Sequence, residues 1–231
     1  MSLEFHKENF SLDAGRVIVN PKVENAFDID ELCIRLLDIT ISSLMIVALA
    51  PLLLLVALLI YVSDPGPVIF GHLRIGRGGQ SFRCLKFRSM VTDAQERLAA
   101  LLASDPEARA EWQRDHKLKK DPRITAIGSF LRQSSLDELP QLFNVLSGEM
   151  SLVGPRPIVL DEVARYSRYF SQYCAVRPGI TGLWQVSGRS DVSYRRRVAM
   201  DVTYVRAQSF RLNLMILMMT VPSVLASQGS Y

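Results

Sequence analysis

"ITISSLMIVALAPLLLLVALLIYV", residues 39–62, is the stretch that decides the fold. It contains no charged side chain and exceeds the roughly 20 apolar residues needed to cross a hydrocarbon core. An acidic segment precedes it and no small-residue cleavage site follows closely, so a cleavable signal peptide is not indicated. Pro51 lies in its middle and favours a kink. The sequence predicts a membrane anchor over residues 30–62 that either spans with a bend or enters, turns and returns; the alternative is a buried core helix.

Composition and charge narrow the function classes. The chain has 231 residues, 48% of them hydrophobic, and its three cysteines and three histidines are scattered. They indicate neither a disulfide framework nor a zinc site. Residues 1–38 hold 4 Lys/Arg against 8 Asp/Glu, which leaves 23 against 15 for the rest. We therefore predict a polar, acidic arm over residues 1–29. The basic remainder is expected to attract phosphates, nucleotides or acidic lipid head groups, with no nucleic-acid partner.

Two alternating runs separated by glycines follow the anchor, in "VIFGHLRIGRGGQSFRCLKFRSM", residues 68–90. This pattern predicts a β-hairpin rather than a nucleotide-binding glycine loop, because the GxGxxG spacing and the following helix are missing. Lys86 and Arg88 share one strand face, since strand side chains alternate. Two cations on one face outline an anion site; a solvated strand face is the alternative.

"SSLDELPQLFNVL", residues 134–146, sets two acids beside each other just before a proline. Ser135 and Glu138 match a capping box, but Pro140 lies too close behind for that helix to continue. A helix that starts nearer Glu138, with Pro140 in its first turn, fits better. Either start places Asp137 and Glu138 at a helix N-terminus, where adjacent side chains diverge and suit two different tasks. Capping and chemistry remain open alternatives on this stretch alone.

The remaining pattern predicts an α+β fold. Residues 92–120 are helical, amphipathic and charged, which is typical of an exposed arm, and "LNLMILMMTVPSVL", residues 212–225, is apolar but short for a span, so it is interfacial or core. Between them lie Gly/Pro/Arg-rich stretches, in which rigid loops usually carry sites. We expect these interfacial helices to surround a Gly/Pro/Arg-rich catalytic core.

Four motifs carry a family resemblance: "GHLRIGRGGQSFRCLKFRSM", "KDPRITAIGSFLRQSSLDELPQLFNVLSGEMSLVGPRP", "RPGITGLWQVSGR" and the closing "SQGSY". They resemble the bacterial sugar transferases that start exopolysaccharide synthesis, the small monotopic polyprenyl-phosphate phosphoglycosyl transferases. Within that family the similarity is greatest to the galactose phosphotransferases of succinoglycan-type pathways. It covers about residues 30–231.

The resemblance implies transfer of a hexose-1-phosphate, with galactose or glucose as the hexose, from a UDP-hexose to undecaprenyl phosphate, with release of UMP. It implies that Asp137 is the nucleophile of a ping-pong mechanism and that Glu138 helps to hold Mg²⁺. It also implies that Lys86, Arg88, Arg132 and Arg156 bind phosphate, and Asp201 matches a family acid that is a further substrate-site candidate. Arg177 and Arg189, in Gly/Pro-rich stretches, are candidate phosphate ligands from the sequence itself, because the planar fork of arginine binds two oxygens at once.

The family also has a re-entrant anchor bent at a Ser-Pro pair, where this chain has Ala50-Pro51. The resemblance therefore implies a monotopic protein on the cytoplasmic face of the inner membrane, with a cytosolic catalytic domain over residues 63–231. A second copy of the chain is a further candidate partner. The competing hypothesis from another class is a membrane-anchored scaffold whose arginine loops bind a polysaccharide-assembly partner.

Overall fold

The fold is described from a computed structural model of the chain. The structure describes residues 12–13, 16–17, 29–115, 118, 121–187 and 192–225. Two short strands in the N-terminal arm, β1 (Leu12–Asp13) and β2 (Arg16–Val17), pair antiparallel. The rest of that arm, Arg189 and the closing motif lie outside the described residues.

The predicted anchor forms helix α1 (Ile29–Ser63), which continues through Pro51. Among the described residues it is the one helix long and apolar enough to cross a membrane. Only 11% of its most apolar 18-residue window is buried within the protein. A core helix of a soluble protein would be mostly covered, so this exposure favours contact with lipid over the buried-helix alternative.

Helix α1 contributes to two compact units. Among the described residues, the first comprises those within 1–48, 71–85 and 141–225, and the second comprises those within 49–70 and 86–140. The boundary within α1 falls two residues before Ala50-Pro51. The predicted division into an anchor and one catalytic domain stays a prediction.

The predicted hairpin is confirmed. Strands β3 (Ile69–Ile75) and β4 (Ser81–Phe87) are hydrogen-bonded neighbours in a two-stranded sheet. The 3₁₀ turn Arg77–Gly79 joins them, and Gly78 within it has φ 68°. Glycine adopts this left-handed conformation without the penalty that a Cβ brings. The glycine group is therefore a hairpin turn.

The first unit is built around a short parallel pair and the helices that cover it. Strands β5 (Ser151–Val153) and β6 (Gly179–Thr181) pair with Ser151 opposite Gly179. A Cβ at Gly154 would lie 2.5 Å from the backbone oxygen of Arg177, so this approach requires glycine. Its helices are α5 (Gln141–Ser147), α6 (Val163–Tyr166), α7 (Phe170–Tyr173), α8 (Leu183–Ser187), α9 (Tyr194–Ala207) and α10 (Phe210–Leu225).

The second unit contains α2 (Ala94–Ser104), α3 (Pro106–Asp115) and α4 (Ala126–Gln133). No residue of α2 is buried, as expected for an exposed helical arm. The core of this unit joins the C-terminal half of α1 to α4 and to the segment that follows it. Its buried members are Val56, Ile60, Phe87 and Leu131. The fold is thus a mixed α and β structure with one long apolar helix near its N-terminus.

Candidate active site

The two acids lie in a single 3₁₀ turn, Leu136–Glu138. Ser135 precedes it in the left-handed conformation, with φ 56° and ψ 15°, and its side chain makes no capping hydrogen bond. The next α-helix, α5, begins only at Gln141. Both predicted helix starts were therefore wrong, because Ser135 is left-handed and makes no capping bond, and Pro140 precedes the helix instead of lying within it.

Apolar neighbours on both sides hold this acidic turn in place. Leu136 and Leu139 flank the acids and pack against the buried cluster that contains Val56 and Ile60 of α1 and Leu131 of α4. Leu131 is fully buried. Side chains in such a cluster keep one arrangement, because protein interiors are close-packed. The apolar contacts thus fix the backbone from which the two carboxylates project.

Lys86, from β4, lies between the two carboxylates. Its Nζ donates to Glu138 Oε1 at 2.6 Å and lies 3.8 Å from Asp137 Oδ2. The first distance is that of a charge-assisted hydrogen bond, whereas the second is too long for one. Glu138 therefore holds the lysine, and Asp137 feels its charge without being bonded to it. The two acids therefore differ in environment although both approach the same ammonium group, and their assignment to two different tasks stays a prediction.

Asp137 is the more deeply placed of the pair. Only 8% of the residue is exposed. Burial raises the pKa of Asp137 above its usual range; the charge of Lys86 opposes this, the charge of Glu138 adds to it, and Arg132 opposes it in turn. A desolvated carboxylate is a stronger nucleophile, and nearby cations keep it ionised. The arrangement suits covalent catalysis.

Arg132 lies close enough to influence the charge of Asp137. It stands in the last turn of α4 and its Nε donates to Ser89 Oγ at 2.8 Å. Ser89 was not predicted as a site residue, although it lies two residues beyond the strand that carries Lys86. A neighbouring ion pair joins Arg123 to Asp121 at 2.6 Å. Lys86 and Arg132 are thus the two predicted cations that the second unit brings to the acids.

Arg88 takes a different partner. Its guanidinium bonds the backbone oxygen of Asp64, and lies 3.3 Å from Asp64 Oδ2. Asp64 Oδ2 also accepts from the amide of Thr92. Arg88 therefore fastens the turn that follows α1. The two cations of the strand face do not converge on one point, because the Lys86 side chain bonds Glu138 whereas that of Arg88 bonds Asp64.

Three further predicted residues among those that the structure describes, Arg156, Arg177 and Asp201, belong to the first unit. Arg156 is exposed. Arg177 donates to the backbone oxygen of Gly148 at 3.0 Å and lies 3.4 Å from Glu31. Arg189 lies outside the described residues.

Asp201 is the third of them and is nearly sealed from solvent. It accepts a 2.7 Å hydrogen bond from Tyr166 Oη at Oδ2, while its Oδ1 is buried without a hydrogen-bond partner. Burial raises its pKa to about 7, against the lowering effect of Tyr166. It lines a small cavity together with Arg156, Ile158, Tyr166, Trp184, Tyr194 and Arg197. Nothing in the local sequence singles out Tyr166 as its partner, since the two are 35 residues apart.

The chain matches one protein family over most of its length. The family described as bacterial sugar transferase matches residues 29–227, which include every described element from α1 onward. The chain belongs to this family. The resemblance drawn from the four sequence motifs is therefore confirmed, and both Asp137 and Glu138 lie within the matched part.

Individual relatives of this sugar transferase are similar over most of its length. An uncharacterized sugar transferase of Haemophilus influenzae is 54% identical over 197 residues, which is 85% of this chain and 42% of that protein. The undecaprenyl-phosphate galactose phosphotransferase of Salmonella typhimurium is 53% identical over 85% of this chain and 41% of its own length. The exopolysaccharide production protein ExoY of Sinorhizobium fredii is 50% identical over 85% of this chain and 87% of its own length. The chain thus spans about two fifths of the first two relatives and most of the third.

Proposed function

We propose that the protein transfers a hexose-1-phosphate from a UDP-hexose to undecaprenyl phosphate and releases UMP, as the first membrane step of exopolysaccharide synthesis. The observation that carries the proposal is the buried Asp137 beside Glu138 and Lys86, in a chain that belongs to the sugar transferase family. Galactose and glucose are the candidate hexoses. Similar proteins are named an undecaprenyl-phosphate galactose phosphotransferase and a UDP-glucose:undecaprenyl-phosphate glucose-1-phosphate transferase.

In the proposed reaction a carboxylate oxygen of Asp137 attacks the phosphorus that bears the hexose. A bond forms between that oxygen and the phosphorus, and the bond from the phosphorus to the bridging oxygen of UMP breaks, so that UMP leaves with the electron pair. The hexose phosphate then remains on Asp137 as an acyl phosphate. The phosphate of undecaprenyl phosphate attacks the same phosphorus and releases the Asp137 carboxylate. Covalent catalysis of this kind divides one transfer into two displacements.

Lys86 and Arg132 have the roles that this chemistry requires. A carboxylate that approaches a diphosphate meets strong repulsion unless nearby positive charge reduces it. Burial raises the pKa of Asp137, and the charges of Lys86 and Arg132 oppose that rise, which favours the ionised form of the nucleophile. Within the part of the chain that the structure describes, Arg132 bonds Ser89 through Nε alone, so we expect its two terminal nitrogens to bind phosphate oxygens. We assign phosphate binding to these two side chains.

The residues at the site also fit a Mg²⁺ ion that is held jointly by the protein and by the phosphates of the substrate. Among the described residues no group of three or more His, Cys, Asp or Glu could hold a metal. Mg²⁺ in phosphate-transfer sites commonly takes only one or two carboxylates and fills its other positions with phosphate oxygens and water. The Glu138 side chain is 41% exposed and bonds Lys86 through Oε1 alone, so Oε2 would hold the ion. When bound, Mg²⁺ would neutralise part of the diphosphate charge.

Five further residues stay predictions as substrate ligands. They are Arg88, Arg156, Arg177, Arg189 and Asp201. Arg88 and Arg177 already have protein partners, whereas Arg156 is exposed beside the cavity that Asp201 lines. Their substitution is expected to have smaller effects than substitution of Asp137.

We further propose that α1 anchors the protein to the cytoplasmic face of the inner membrane and returns to that face. Its exposed apolar surface supports membrane association, and Pro51 lacks the amide hydrogen needed for an intrahelical bond. The basic residues Arg74 and Arg77, which follow α1, favour the cytoplasm for its C-terminal side. A catalytic part that uses cytosolic UDP-hexose needs the same side. A homodimer remains a further prediction.

The test is UMP release by detergent-extracted protein that is supplied with UDP-galactose or UDP-glucose, Mg²⁺ and undecaprenyl phosphate. Asp137→Asn retains the shape of the side chain but removes the nucleophilic charge, so turnover is expected to fall at least about a hundredfold, or about 2.7 kcal/mol. A folded Asp137→Asn variant with near wild-type release would refute the assignment of the nucleophile. Wild-type protein that releases no UMP with any UDP-sugar would favour the scaffold hypothesis.

A further inference from the structure

Ser89 is held by its backbone against the start of α4. Its carbonyl oxygen accepts a hydrogen bond from the amide of Thr125 at 3.2 Å, and Thr125 caps α4 by accepting from the amide of Gly128 at 2.9 Å. Next to it, Met90 and Ile124 form an antiparallel bridge. Only 9% of Ser89 is exposed. The position of this serine relative to α4 is therefore set by backbone contacts.

Gly128 makes this close approach possible. A Cβ at Gly128 would lie 2.0 Å from the carbonyl oxygen of Ser89 and 2.6 Å from its carbonyl carbon. Neither neighbour is a flexible side chain, so any larger residue would push Ser89 away from the helix. Gly128 and Arg132 are four residues apart and share one face of α4. The backbone of Ser89 thus contacts the first turn of that face while its hydroxyl bonds the last turn.

We propose that Ser89 is a positioning residue that orients the guanidinium of Arg132 toward phosphate, an inference that rests on the proposed function. The bond from Arg132 Nε to Ser89 Oγ uses the Nε hydrogen, so the edge formed by Nε and one terminal nitrogen is no longer free for a second acceptor pair. The edge formed by the two terminal nitrogens can still bind two phosphate oxygens at once. Ser89 therefore selects which edge of Arg132 faces the substrate.

The Ser89 bond favours substrate binding because it orders the Arg132 side chain before the substrate arrives. An arginine side chain loses much rotamer freedom when it is fixed, and exposed Arg132 would otherwise lose that freedom on binding. The Ser89 hydroxyl fixes it in the free protein. The same bond holds the positive charge of Arg132 in one place. Loss of the hydroxyl is expected to weaken this ordering without removing the charge.

The experiment is a double-mutant cycle on UMP release with UDP-galactose, Mg²⁺ and undecaprenyl phosphate. Ser89→Ala is expected to lower kcat/KM about tenfold, chiefly through KM for the sugar nucleotide, which corresponds to one hydrogen bond to a charged group. Arg132→Met should lower kcat/KM further than Ser89→Ala does. When Ser89→Ala is added to Arg132→Met, kcat/KM should not fall again, because the serine acts through the arginine. Ser89→Thr, which keeps the hydroxyl, should recover most of the activity.

Ser129→Ala, on the same helix, is the matched control and should retain wild-type kinetics; thermal unfolding is recorded for every variant. If Ser89→Ala proves poorly folded, Arg132→Lys provides a second measurement, since it retains a charge but loses the Nε donor and should raise KM similarly. Additive losses in the cycle, or wild-type kinetics for folded Ser89→Ala, would overturn the inference. Wild-type UMP release in the same assay reports the proposed function separately, so the two ideas can fail independently.

Discussion

Replacing Lys86 with methionine tests the electrostatics of the site most directly. The substitution keeps a long side chain but removes the ammonium that lies 2.6 Å from Glu138 Oε1 and 3.8 Å from Asp137 Oδ2. Two neighbouring carboxylates then share the site without that charge between them. We expect a large loss of activity with a small loss of stability.

The magnitude follows from the longer distance. Two unit charges 3.8 Å apart attract by about 1 kcal/mol in water and by about 4 kcal/mol at an effective dielectric constant of about 20. The Lys86 side chain is 28% exposed and that of Asp137 only 12%, so an intermediate value of about 2 kcal/mol is appropriate. At about 1.4 kcal/mol per decade, kcat/KM near neutral pH should fall about 30-fold. The ion pair between Lys86 and Glu138 is partly exposed, so the free energy of unfolding should change by no more than about 1 kcal/mol.

The pH dependence gives the sharper test. Asp137 must be ionised to attack, and burial already raises its pKa. Removal of the Lys86 charge, which lowers that pKa, should raise it further and move the acid limb of the rate profile to higher pH. The variant should therefore lose most activity under acidic conditions and regain part of it as the pH rises.

The assay is initial-rate UMP release across the pH range, with UDP-galactose and undecaprenyl phosphate. Arg97→Met is the matched control, because Arg97 forms an exposed ion pair with Asp93 at 2.9 Å and its loss changes net charge equally. That control should retain the wild-type profile. A loss for Lys86→Met that is constant with pH, or an acid limb that moves to lower pH, would refute the reasoning.

The remaining predictions concern the intermediate, stability and topology. Enzyme given UDP-hexose and Mg²⁺ without lipid should release up to one equivalent of UMP and gain the mass of a hexose phosphate on Asp137; mass spectrometry that finds neither would indicate direct transfer. Gly128→Ala should destabilise the protein by about 1–3 kcal/mol, because its Cβ would meet the backbone of Ser89, and an unchanged melting temperature would contradict this contact. Single cysteines at Ser11 and Ser230, in a chain whose native cysteines are replaced by alanine, should both be protected from an impermeant thiol reagent in intact spheroplasts; labelling at Ser11 alone would show that α1 spans.

Local features of the sequence led directly to several parts of the fold. The long apolar run predicts α1, and the alternating runs around Gly78 predict the hairpin, because periodicity and glycine conformation act over a few residues. The acidic pair was also identified from its neighbours in the chain. The predicted capping of that pair failed, since the left-handed Ser135 depends on how Leu136 and Leu139 pack against α1 and α4.

The sequence by itself determined that this protein has a long apolar helix, a basic hairpin and a pair of adjacent acids, and its motifs placed it in the sugar transferase family. Only the tertiary structure decided which of the two strand cations lies beside the acids. Lys86 and Arg88 are equivalent by strand alternation, yet Lys86 meets Glu138 across 52 residues of chain, whereas Arg88 meets Asp64. The structure likewise brought Ser89 to Arg132, 43 residues apart. Such pairings arise from the packing of α4 against β4 and α1, and no local pattern encodes contacts between segments so distant in the chain.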